Sequence, residues 1–310
     1  MKYGAGLSFG DLIVLTGNVA LESMGAPVLG FCGGRIDDND GAWSIPLGPT
    51  KEQAATTPCD VNGNCTLPFG TTTIGLIYVN PEGPMGNPDP VASALQVRDV
   101  FSRMGMNDSE TVALIGGGHA FGKAHGACPT GPGPSPKEDP SNPYPGTCGP
   151  SGPSMGKGPN QFTSGFEGTW SATPTTWNNN YFIGLTTQEW VLGTSPGGKK
   201  QFYQKGCCGP GTAQIMLTTD LSLMSDPQFE AIVDIYSRCQ SALDNDFSHA
   251  WYKLTTHDMG PVTRCIGPDV PPPQPFQFPL PPPPATLANC TLVEADIEVA
   301  MFTAKRSASA

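Results

Sequence analysis

Charge is scarce in this chain, and positive charge scarcest. Only 14% of its 310 residues are charged, with 16 Lys and Arg against 27 Asp and Glu, a formal net charge of −11. Binding nucleic-acid phosphates takes clustered Lys and Arg, so that class of partner is excluded. Long apolar runs are lacking as well. The longest, Leu12 to Leu15, falls far short of the ~20 residues a membrane-spanning helix needs, and no membrane partner is expected. Met1 is followed by Lys2-Tyr3-Gly4, with no apolar signal segment. No internal repeat is visible.

Gly and Pro, by contrast, are abundant: 39 and 34 residues, nearly a quarter of the chain. They are scattered between clear apolar segments, which indicates a folded domain with long ordered loops and not a low-complexity chain. The length suffices to bury a core without metals or disulfides. The ten cysteines are Cys32, Cys59, Cys65, Cys128, Cys148, Cys207, Cys208, Cys239, Cys265 and Cys290. An even number in a loop-rich chain suggests a secreted or otherwise oxidising location. Cys59 and Cys65 flank a turn sequence and Cys128 and Cys148 a Pro-rich loop, so both are candidate pairs, and the full pairing stays open. Sequons at Asn64, Asn107 and Asn289 fit secretion, in which case a signal peptide is expected upstream of Met1. Free buried thiols in a cytosolic enzyme are the competing reading.

The dominant period is helical, and the fold class expected is mainly α with long loops. Ser8-Phe9-Gly10-Asp11 has the form of a capping box, and the run from Leu12 to Leu21 that follows is apolar nearly all round, predicting a buried helix that ends at Met24-Gly25. Pro90 suits the first turn of a helix through Phe101. Asn107 with Glu110 opens another through Ile115. Asp226-Pro227 is an N-cap followed by Pro at the first helical position, with Phe229, Ile232, Val233, Ile235 and Tyr236 as its apolar stripe. Phe247 to Leu254 is a further helix. Residues 26–72 and 127–162 carry turn signals and read as loops, and 271–284 is polyproline-like, a surface strap or linker.

His119 is the most informative residue. It follows Gly116-Gly117-Gly118 inside a helical pattern, where each Gly costs about 1 kcal/mol relative to Ala. Close approach of something flat or bulky to the backbone would offset that, and a porphyrin with the imidazole rising to its iron is one candidate. A helix end with a capping His, or a glycine patch where two helices touch, accounts for the same residues.

The wider sequence discriminates. The stretches Gly75 to Pro84 and Met104 to Gly126 resemble the haem domain of catalase-peroxidases. The likeness begins at Lys2-Tyr3-Gly4 and includes Asp11 to Gly25, Thr163-Ser-Gly-Phe-Glu167, Trp170, Thr173-Pro174, Trp177, Thr219 to Leu223 and Ala250 to Leu254. It ends near Asp258-Met-Gly-Pro261, so it covers most of residues 2–270; residues 26–72 and 127–160 match poorly. It implies a mainly α, haem-peroxidase-type domain over 1–270, with 271–310 a Pro-rich strap and tail. It also implies haem b as cofactor, hydrogen peroxide and an electron donor as partners, and admits a homodimer.

Residue by residue, the resemblance makes His119 the proximal iron ligand, with Gly118 beside the haem. Asp220 accepts a hydrogen bond from the other ring nitrogen, fixing the tautomer and making the imidazole a stronger donor to iron. Trp170 bonds the same carboxylate. On its own residue evidence Asp220 reads as an N-cap on the following Leu-Ser-Leu turn, and Trp170 as a core aromatic. Lys123 and His125 are expected near a haem propionate and Ser164 along the access route. Tyr78 and Met104 match two members of the family's covalent Trp–Tyr–Met adduct. The distal Trp, His and Arg precede the Lys2-Tyr3-Gly4 segment in relatives and have no counterpart here; neither His249 nor His257 occupies a matching position. The chain is therefore expected to be the proximal part of the domain, incomplete at its N-terminus, with little catalase turnover alone. The alternative is a non-catalytic haem-binding or structural relative. Relatives carry a mobile Arg where this chain has His257, a side chain that makes no fixed guanidinium fork.

Overall fold

The computed structural model describes residues 7–38, 79–124, 166, 168–195, 198–206 and 214–280. Helix α1 spans Phe9–Ser23, α2 Pro90–Arg103, α3 Asp108–His119, α4 Asn180–Thr187, α5 Thr218–Ser225, α6 Pro227–Arg238 and α7 Gln240–Thr256. Three short strands, β1 (Trp190–Thr194), β2 (Lys200–Gln204) and β3 (Ile215–Met216), form an antiparallel sheet in the order β1-β2-β3. The expected helices are present; the sheet had no sequence forecast. The last helix starts at Gln240, seven residues before the expected Phe247.

The helix starts follow the capping chemistry. Asn107 and Glu110 form the reciprocal box at α3, with Asn107 Oδ1 accepting from Glu110 N and Glu110 Oε2 from Asn107 N. Asp89 caps α2 ahead of Pro90, and Asp226 caps α6 ahead of Pro227. Asp226 also ion-pairs with Arg98, which bridges to Asp108 and lies over the Phe229 ring. One guanidinium thus clamps α2, α3 and α6 together.

Two expectations for α1 are corrected. Ser8 accepts from Asp11 N, but the Asp11 carboxylate does not return the bond. It accepts instead from Gly34 N and from the backbone and guanidinium of Arg35. Nor is the helix buried: only Asp11, Asn18 and Leu21 are, while Phe9, Leu12, Ile13 and Val19 are exposed. The seam of α1 that faces the molecule is partly polar. Asn18 donates to Gly30 O and accepts from Trp251 Nε1 of α7, and Gly17 lets the same indole approach closely.

The core packs α3 against α7, α4 and α6, with Val97, Phe101, Val112, Phe182, Phe229, Val233, Tyr236 and Phe247 among its members. A disulfide joins Cys32 to Cys265 across 233 residues, a pairing the sequence did not single out; Cys59, Cys65, Cys128 and Cys148 lie outside the described residues. Residues 271–280 run over the body, with Pro271 seated on Gly30 and Gln277 reaching Tyr252.

Candidate functional site

The site is built around a carboxylate with no solvent exposure, Asp220. It sits in the first turn of α5, where the helix N-terminus favours negative charge, and four donors converge on it. Its Oδ1 receives His119 Nδ1 at 2.7 Å and Tyr181 OH at 2.7 Å; its Oδ2 receives Trp170 Nε1 at 2.9 Å and Leu217 N at 2.7 Å. A buried carboxylate is tolerable only with such compensation, and here each oxygen takes two donors. The N-cap reading of Asp220 is corrected: α5 starts at Thr218, Asp220 lies within its first turn, and its carboxylate accepts from Leu217 N just ahead of the helix. The other three donors are side chains that lie 39 to 101 residues from it in the sequence.

His119 ends α3, and its ring is held on two sides. The Trp170 indole stacks on it with centroids 4.0 Å apart and planes within 10°. The Tyr181 ring meets it edge-on at 5.7 Å. With Nδ1 committed to Asp220, Nε2 is the nitrogen left to take a metal, and the side chain is 26% exposed. The Trp170 loop is stitched to the turn after His119, where Ala124 and Gly168 exchange backbone hydrogen bonds and Gly122 N donates to Pro174 O, and to β3, where Ile215 N donates to Thr169 O. Tyr181, at the start of α4, was not singled out by the sequence, because a Tyr among asparagines carries no periodic signal. Burial, the Asp220 charge and their hydrogen bond hold its phenol well above the usual tyrosine range, so it stays a donor.

The glycine run has two explanations instead of one. A Cβ on Gly116 would lie 2.1 Å from Phe182, and one on Gly117 2.2 Å from Phe247. Those two glycines let α4 and α7 close on α3, the helix-contact reading. A Cβ on Gly118 would meet nothing within 4 Å, and the residue is exposed. Gly118 alone is free for the close approach of a flat ligand beside His119. An open glycine next to an imidazole with a carboxylate-fixed tautomer suits a haem-iron ligand. Among the described residues no group of three His, Cys, Asp or Glu could hold a bare metal ion.

Of the other candidates, Met104 is buried at the C-cap of α2, and Lys123 is half-buried beside the Ala124 bridge. Tyr78, His125 and Ser164 lie outside the described residues. His257 is exposed and its Nδ1 contacts Lys253 O at the end of α7. No described helix is long and apolar enough to cross a membrane.

A mainly helical body carrying a His–carboxylate–Trp cluster defines the haem-peroxidase class. The peroxidase family model matches residues 2–238, and the chain belongs to that family. Its relatives include catalase-peroxidases of a Polaromonas species, 47% identical over 286 residues (87% of this chain, 38% of the relative), and of Cupriavidus metallidurans, 46% over 298 residues (91% and 40%). Another is that of Escherichia coli, 44% over 288 residues (87% and 38%). Within the peroxidases it is a catalase-peroxidase family member, and it spans about two-fifths of the length of these relatives.

Proposed function

We propose that this protein is a haem b peroxidase of catalase-peroxidase type that reduces hydrogen peroxide with electrons from a donor or a second peroxide, and that the His119 cluster is its proximal face. The observation that carries the reading is the 2.7 Å bond from His119 Nδ1 to a fully buried carboxylate shared with the Trp170 indole. Haem, when bound, supplies the iron redox chemistry of peroxide reduction. His119 would hold it through Nε2, with Gly118 leaving room beside the ligand. Asp220 fixes the imidazole tautomer and raises its basicity. Trp170 locks the ring plane and donates to Asp220, while Lys123 and His125 would meet the propionates and Ser164 the access route. The sequence has no Cys-x-x-Cys-His segment, the attachment motif of covalently bound haem c, which favours haem b. Tyr78 and Met104 would supply two members of the family's covalent adduct. The Cys32–Cys265 disulfide supports an oxidising compartment.

The test is titration of the chain with ferric haem b, followed by peroxide and a one-electron donor dye. Saturation at one haem per chain is expected, with dye oxidation well below that of a full-length relative, because the acid–base groups of the distal face have no counterpart in this sequence. Absence of saturable binding overturns the proposal; binding without peroxide reduction leaves a non-catalytic haem protein.

A further inference from the structure

We propose that Tyr181 is a positioning residue that sets how strongly Asp220 draws the His119 proton, and through it the electron donation from His119 to bound haem. The inference rests on the reading of His119 as proximal ligand. Its basis is which oxygen Tyr181 chooses. The phenol donates to Oδ1 of Asp220, the same atom that receives His119 Nδ1, and both bonds are 2.7 Å long. Trp170 and Leu217 take the other oxygen.

Two donors on one carboxylate oxygen compete for its electron density. A charge-assisted bond from a phenol is strong, and with the carboxylate and the phenol both fully buried its effect on the shared oxygen is little screened. Tyr181 is itself fully buried, packed edge-on against both His119 and Phe182, so no solvent molecule takes its place in the folded protein. It therefore acts opposite to Asp220. Asp220 pulls the Nδ1 proton and makes the imidazole electron-rich, and Tyr181 weakens that pull. A hydroxyl deep in an otherwise aromatic pocket costs desolvation unless bonded, and here the bond is made to the one atom through which it reaches the ligand.

The experiment compares the wild-type chain with Tyr181→Phe, which removes one oxygen atom and preserves the ring packing, and with 3-fluorotyrosine at position 181, whose more acidic hydroxyl donates more strongly. Two readouts are taken: the NMR resonance of the His119 Nδ1 proton in the haem-free chain, and the Fe(III)/Fe(II) potential of the haem-loaded chain. In Tyr181→Phe the resonance is expected to move downfield and the potential to fall; the fluorinated residue moves both the other way. A resonance and a potential that stay at their wild-type values, or that move oppositely, overturn the inference, since a purely structural tyrosine would leave them in place. Should Tyr181→Phe not fold, the fluorinated protein decides by the same two signs. If haem binds but not through His119, or does not bind, the ligand reading fails separately, and the haem-free resonance alone judges what Tyr181 does to the His119–Asp220 bond.

Discussion

At the scale of single residues the site depends on where one carboxylate's four hydrogen bonds go. Asp220→Asn replaces a charged acceptor by a neutral amide, which draws the His119 proton less. Charge-assisted hydrogen bonds contribute about 1.5–3 kcal/mol, and 59 mV is a tenfold change for one electron. The Fe(III)/Fe(II) potential of the haem-loaded variant should rise, by roughly 60–130 mV at most; spectroelectrochemistry checks this, and an unchanged or lower potential counts against the role given to Asp220. A second residue-scale expectation concerns acid stability. Arg98 holds the Asp226 carboxyl down to about 2, below its unfolded value of about 3.9. Its contribution is present above about pH 4 and is lost as pH falls towards 2. Asp226→Asn should flatten that part of the stability–pH curve in urea titrations between pH 5 and 2. His119, Trp170 and Asp220 were legible in the sequence through their family resemblance. Tyr181 was not, because its role exists only once α4 is laid against α5.

At the scale of elements, α3 shows how packing and ligand access share a helix. Gly116 and Gly117 are filled by Phe182 and Phe247, while Gly118 faces open space. Gly117→Ala gains helix preference but forces a methyl into a buried aromatic, and such overpacking costs about 1–3 kcal/mol. Gly118→Ala meets no neighbour and should stabilise the haem-free chain by up to about 1 kcal/mol, yet weaken haem binding if the porphyrin lies there. Chemical denaturation of both variants, with a haem titration of the second, checks the contrast; equal destabilisation at the two positions would contradict it. The caps of α2, α3 and α6 were readable because each uses a local side-chain bond. The exposure of α1 is not legible in its apolar content, because its inward seam is formed partly by Asp11 and Asn18 through bonds to residues 12 to 233 positions away. The sheet was missed because its strands are short and lack clean alternation.

At the scale of the whole molecule, the Cys32–Cys265 bond joins residues 233 positions apart, tying the segment after α1 to the end of the helical body. Chain-entropy arguments put such closures at about 2–5 kcal/mol. Cys265→Ser should therefore lower the unfolding free energy by that order, and non-reduced peptide mapping should recover Cys32 linked to Cys265. Recovery of both as alkylatable thiols from freshly isolated protein would exclude the bond. Ten cysteines carry no local signal that pairs distant members, so this bond is legible only once the fold brings Gly33 and Ile266 together. We propose that this helical body holds haem through His119. The most direct measurement is the absorption spectrum of haem-titrated His119→Ala beside the wild type: the variant should lose the Soret band of the bound species and regain it on addition of imidazole. A variant spectrum identical to wild type, without imidazole, would contradict the account.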